Sequence, residues 1–227
     1  MSRPPGRPRG FDKQEALDTA LRLFWRQGYE GTSIADLSQA IGVSVPSLYL
    51  AFGNKEHLFM QAVEHYGRYS GGMYEAALAQ RSALDVVRCI LEGEVDLVTG
   101  GDTPDGCLMI QGALATGAGA DTIRESLATL RLKAESAVAE KLESLGDLPV
   151  GWSARDLATY VMTLAAGIAV QAKSGVSRDQ LLRLTESALR VMPRGSRSRD
   201  GAREERASLG GSPAKSRGVT RKNTNRR

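Results

Sequence analysis

From Asp12 to Met192 the apolar residues recur at intervals of three and four, and no stretch alternates apolar and polar residues between hairpin turns. A chain patterned in this way buries one stripe on each of several helices, so an all-α fold of about nine helices is expected. The punctuation between stripes agrees. Asp12 can cap a first helix, with Glu15 as its capping-box partner and Phe11 packing back on Ala16. Leu17, Ala20, Leu21 and Phe24 form its stripe, and Gly28 ends it. Thr32 or Ser33 starts a second, shorter helix carrying Ile34, Leu37, Ala40 and Ile41 on one face. After the Gly42-Val43 turn, Ser44 caps a third helix with Pro46 in its first turn, where a missing N–H costs nothing. Asn54 caps a long fourth helix beginning at Lys55. Further starts stand at Ser82, Asp121, Ser153 and Ser177, the first of them ahead of the stripe Leu84, Val87, Leu91, Val95 and Val98.

Several function classes drop out. The two cysteines, Cys89 and Cys107, form no C-x-x-C pair, and His57 and His65 lack an H-E-x-x-H arrangement. That argues for a reduced, cytoplasmic protein with no disulfide scaffold, metal centre or cofactor. The basic start has no apolar run behind it, so no secretory leader is expected. The uncharged stretches 106–120 and 157–172 fall short of the roughly 20 residues of a bilayer span, so no membrane partner is expected and both read as buried helices. No nucleophile–base pair or G-x-G-x-x-G loop suggests an enzyme.

Charge is unevenly spread. Residues 194–227 hold eleven Lys and Arg against three Asp and Glu, whereas residues 1–193 hold 19 against 23. The high isoelectric point therefore belongs to the tail, and any case for nucleic-acid binding by the body must come from motifs. Beyond Pro193 the composition is Gly, Ser and Arg with few apolar residues, and a disordered basic tail is expected there. It would either raise non-specific DNA affinity or be a solvated, dispensable extension.

The segment 32–55, TSIADLSQAIGVSVPSLYLAFGNK, holds two short helices joined by a glycine turn. That is a helix-turn-helix, whose second helix enters the DNA major groove. With the helix before it, the block ALDTALRLFWRQGYEGTSIADLSQAIGVS, followed by SLYLAFGNKEHLF, resembles the tetracycline-repressor (TetR/AcrR) family of regulators. About 50 residues match closely; the later helices match only in number, length and order. The resemblance implies a basic arm over 1–10, a three-helix DNA-binding domain over 11–54, and a helical effector-binding and dimerisation domain over 55–193. It also implies a homodimer on a palindromic operator in double-stranded DNA, acting as a repressor released by a small-molecule effector. A ligand-independent activator or nucleoid-like protein is the alternative.

Individual residues fit these roles to different degrees. Tyr49 on the third helix could donate to a phosphate or be an ordinary core aromatic. Lys55, at the start of the fourth helix, suits a phosphate beside free N–H groups, or is a solvated lysine. Thr32 and Ser33 could contact phosphate or serve only as caps. Base reading falls to Ser44, Val45, Pro46 and Ser47, small groups suited to thymine methyls and single hydrogen bonds, with Leu50 as a further position. Arg3, Arg7 and Arg9 could reach a neighbouring minor groove or form a plain basic leader.

In the family the last two long helices pair across the dimer. Here they are 154–173 and 178–191, the first with the small-residue run Ala165 to Ala169; an intramolecular core helix is the alternative. A ligand pocket is likewise implied by the resemblance. Tyr66, Met73, Tyr74, Cys107, Met109, Gln111 and Met162 are candidates to line it, or else plain core. Cys107, opening a helix, is either a redox sensor or a buried structural cysteine.

Overall fold

In a computed structural model of the chain, residues 11–192 are described, except 102, 114–116 and 118–119. The expected basic arm over 1–10 and basic tail over 194–227 lie outside the described residues. Nine helices and no strand are found among the described residues. They are α1 (Lys13–Gln27), α2 (Ile34–Ile41), α3 (Val45–Phe52), α4 (Lys55–Leu78), α5 (Ala83–Thr99), α6 (Leu108–Ala113), α7 (Asp121–Leu145), α8 (Ala154–Lys173) and α9 (Arg178–Arg190).

Local chemistry sets the helix starts. Asp12 accepts from the N–H groups of Gln14 and Glu15. Ser33, rather than Thr32, caps α2, and it shares a reciprocal capping box with Asp36. Ser44, Asn54, Ser82, Ser153 and Ser177 each accept one first-turn N–H at their own helix. A cap of this kind stabilises by about 1 kcal/mol. Phe11 meets Phe52, with ring centroids 6.1 Å apart, and so ties the start of α1 to the end of α3.

The first three helices gather around α1. Its buried face carries Ala16, Ala20, Leu21, Phe24 and Trp25, which pack against α2 and α4. Phe24 and Phe59 meet edge to face at 5.0 Å, which joins α1 to α4. Helix α4 then runs on into the body, where α5 is the central element, packed against α4, α7, α8 and α9. Val86, Val87, Ile90, Leu91, Val95 and Val98 of α5 are wholly buried. Each such side chain contributes about 1.5–3 kcal/mol of hydrophobic stabilisation. Short α6 touches α1, α4, α7 and α8, so it lies between the N-terminal helices and the body.

Candidate nucleic-acid interface and internal cavity

The turn between α2 and α3 is closed by its own backbone. Gly42 sits at φ 77° in the left-handed region, where an L side chain would be strained. Its N–H and that of Val43 both donate to the Ser38 carbonyl, and Ser38 Oγ donates to the Val43 carbonyl at 2.5 Å. Helix α3 is thereby held with Leu48 and Phe52 inward and the opposite face outward. On that outward face Leu50 is 92% exposed and Tyr49 46%, so Tyr49 is not a core aromatic. Ser44 and Pro46 are exposed and Val45 and Ser47 half-buried at the start of the helix. Ser44 Oγ and Ser47 Oγ lie 2.8 Å apart.

The candidate phosphate contacts separate. Ser33 is exposed at the start of α2, its hydroxyl donating to Asp36. Thr32 is different: it is fully buried, and its hydroxyl donates to the Gly28 carbonyl at 2.8 Å. Its side chain therefore cannot serve as the phosphate contact expected of it. Lys55 stands at the start of α4 with its ammonium over the Tyr29 ring, 4.3 Å from the centroid. Partial burial lowers its pKa. Tyr29 holds that ammonium in place by a cation–π contact. Nothing in the sequence around Tyr29 distinguishes it from a packing aromatic.

The body carries a cavity of about 1370 Å³, partly open to solvent, between α4, α5, α7 and α8, with the start of α6 and the end of α3 at its edges. Of the seven candidate lining residues, Tyr66, Tyr74, Cys107, Met109 and Met162 line it. Met73 and Gln111 do not. Met73 lies instead against Gly93 of α5, where a Cβ would meet Met73 Cγ at 2.5 Å. Gln111 turns toward Gly106, with its Nε2 buried and unpartnered. In both cases the residue sits on the correct helix but on the wrong side of it.

Two soft hydrogen bonds order the wall: Tyr66 Oη donates to Cys107 Sγ at 3.3 Å, and Tyr74 Oη to Met162 Sδ at 3.7 Å. Burial raises the pKa of both tyrosines. Burial, with Glu94 nearby, pushes the Cys107 thiol up to about 11, so it stays protonated and the redox-sensor reading loses its thiolate. Sequence reasoning missed Glu94 itself. It is 5% exposed, lines the cavity, and burial pushes its carboxyl up to about 7. The signal was available, because Glu94 falls on the same face of α5 as Leu91 and Val98.

The cavity wall meets the N-terminal helices at the end of α3, where Phe52 and Gly53 line it, and at Trp25. Trp25 of α1 donates from Nε1 to the Gly106 carbonyl at 2.6 Å, one residue before Cys107. The Trp25 ring meets Tyr66 edge to face at 4.7 Å. Among the described residues no helix is long and apolar enough to cross a membrane.

Residues 16–62 match the family described as bacterial regulatory proteins, tetR family. Over 193 residues the chain is 31% identical to the HTH-type transcriptional repressor ComR of Escherichia coli (strain K12), covering 83% of this chain and 92% of that protein. A solved structure of the TetR family transcriptional regulator CifR, a cysteine mutant complexed with 26-bp operator DNA, superposes with a TM-score of 0.77 at 37% identity. That match covers 82% of this chain and all of the CifR chain. AibR, solved in complex with isovaleryl coenzyme A and operator DNA, shares the fold at a TM-score of 0.60 and 19% identity, covering 80% of this chain and 98% of its own.

Proposed function

Because the chain belongs to the TetR family of bacterial transcription regulators, which are not enzymes, we propose that it is a cytoplasmic repressor that leaves its operator when an effector fills the cavity. The observation that carries this reading is the outward face of α3, where Tyr49 and Leu50 stand exposed on a helix locked from behind by Leu48 and Phe52. An exposed Leu is ordinary by itself, but beside an exposed Tyr on the second helix of a helix-turn-helix it is placed to meet thymine methyls in a major groove. Ser44, Val45, Pro46 and Ser47 read bases at the front of α3. Ser33 and Lys55 hold phosphates at the starts of α2 and α4, where free N–H groups add to the attraction.

Two reading heads require two copies. The exposed side of α8 and α9 carries Val170, 48% exposed, and Leu184, 43%, with Val191, 67%, just past the end of α9. Gly167, on the exposed side of α8, lets a facing helix approach closely there. These residues support a homodimer joined through α8 and α9 on a palindromic operator with half-sites roughly 34 Å apart. Effector and DNA then compete by favouring different separations of the heads, and the differential affinity sets the size of the response.

The test is binding of the purified protein to DNA from its own upstream region, titrated against salt and random-sequence competitor. Complexes that survive competitor support a sequence-specific regulator. Binding lost equally to any DNA would sink the repressor reading in favour of a nucleoid-like role.

A further inference from the structure

We infer that the cavity selects an apolar cation, with the Glu94 carboxylate as its counter-ion and the Tyr74 ring and the Met109 and Met162 thioethers against its apolar body. This rests on the reading that the cavity holds the effector, and it adds the effector's charge and chemical class.

Glu94 is the anomaly. It lies between Leu91 and Val95 of α5, both wholly buried, and is itself 95% withdrawn from solvent. It has no hydrogen-bond or ion-pair partner among the described residues, and it borders the empty volume. A carboxylate in a low-dielectric site without a partner is strongly disfavoured, and an arriving cation removes that penalty. Around the cavity the charge is one-sided. Glu64, Glu94 and Glu135 line it, against Arg131 alone among permanently cationic side chains. Arg131 is already engaged, its Nη1 donating to the Met109 carbonyl at 3.1 Å.

The remaining polar groups point the same way. Tyr66 and Tyr74 spend their hydroxyl protons on the sulfurs of Cys107 and Met162. Tyr66 is packed away against Trp25, so the half-buried Tyr74 ring and the Met109 and Met162 thioethers are left to meet a ligand. Aromatic faces and polarisable sulfur suit an alkylated or arylated cation, and a desolvated cation–π contact strengthens as water leaves. Burial raises the pKa of Tyr66, Tyr74 and Cys107, so these three stay neutral and Glu94 is the acid among them that can carry the counter-charge. At about 1370 Å³ the space takes a multi-ring or long-chain ligand.

Two matched probe sets test this on the full-length protein by calorimetry. Tetraphenylphosphonium and tetraphenylborate share shape and differ in sign; decyltrimethylammonium, 1-decanol and decanoate share a chain and differ in head group. The cations are expected to bind at least tenfold tighter than their matched partners. Glu94→Gln should remove most of that preference, whereas Glu92→Gln, the same charge change on α5 beside Arg88, should leave it intact. Equal binding of borate or decanoate, or no binding by either cation, would overturn the inference. If Glu94→Gln does not fold, the wild-type series still decides. The operator complex is assayed separately. Cations that bind selectively without releasing DNA would uphold this inference and sink the coupling, and release driven by decanol or decanoate would do the reverse.

Discussion

Trp25 Nε1 lies 2.6 Å from the Gly106 carbonyl, so a helix of the reading head is hydrogen-bonded to the loop that begins the cavity wall. Trp25 is also edge to face with Tyr66, whose hydroxyl is bound to Cys107. These two contacts on one side chain are the route by which a shift of Tyr66 or Cys107 is expected to reach α1.

Trp25→Phe keeps most of the ring and removes the donor, leaving the Gly106 carbonyl unpaired. A loss of about 1–3 kcal/mol is expected, read by urea unfolding. The operator complex should still form but release less completely with effector. Unchanged release would show that the signal travels by another route.

Removing a phosphate contact and removing a base contact have different signatures. Tyr49→Phe and Lys55→Ala should weaken binding to every sequence alike, the latter lowering the salt slope by about one. Ser47→Ala or Pro46→Ala should change which bases are preferred, by about 1 kcal/mol per affected position. Thr32→Val keeps the buried shape while removing a hydroxyl bonded to Gly28, so it should lower stability without altering DNA preference. Competition binding over a randomised half-site separates these cases.

Glu94 gives the protein a pH-dependent stability. Its carboxyl titrates near 7 in the folded chain, above the usual carboxylate value of 4.5, because burial penalises the charge. The folded state therefore holds the extra proton between those values. Stability is greatest below pH 4.5 as far as this group is concerned, falls as pH rises to about 7, and is level beyond. Tyr66, Tyr74 and Cys107, which line the same cavity, stay neutral over that range, their ordinary values lying above it and burial raising them further. Glu94→Gln should be more stable than wild type at pH 8, by about 2–4 kcal/mol, and nearly equal at pH 5. Thermal melts across that range check it, and a constant difference would refute the assignment.

The dimer face is equally open to test. Val170→Asp combined with Leu184→Glu places charges on the two exposed apolar positions of α8 and α9. The variant should sediment as a folded monomer at concentrations where wild type is a dimer, and its operator affinity should fall by more than tenfold. A variant that stays dimeric would move the interface elsewhere.

What was legible in the sequence divides by range. Asp12, Ser33, Ser44 and Asn54 cap helices through bonds that reach two or three residues, so a short window is enough to see them. Fold class followed from those caps and the stripes between them. Tyr66, Cys107 and Met162 were likewise identifiable as large or polarisable groups on the body helices. Met73 and Gln111 were misplaced because which side of a helix faces a void depends on how the helix is rotated in the packed body, which turns Met73 toward Gly93 of another helix and Gln111 back toward Gly106. Thr32 looked like a second cap until its burial was known. The Phe11 contact with Phe52 and the bond from Trp25 to Gly106 join residues too far apart for any local pattern to reveal.

The setting of Trp25 gives the protein its own optical gauge. The chain has two tryptophans; Trp152 sits away from the joint, 5.0 Å from the Tyr160 ring. With Trp152 changed to Phe, the single remaining indole would be the one hydrogen-bonded to Gly106, and its emission would report that bond directly. Occupancy of the cavity could then be followed in solution without label or DNA.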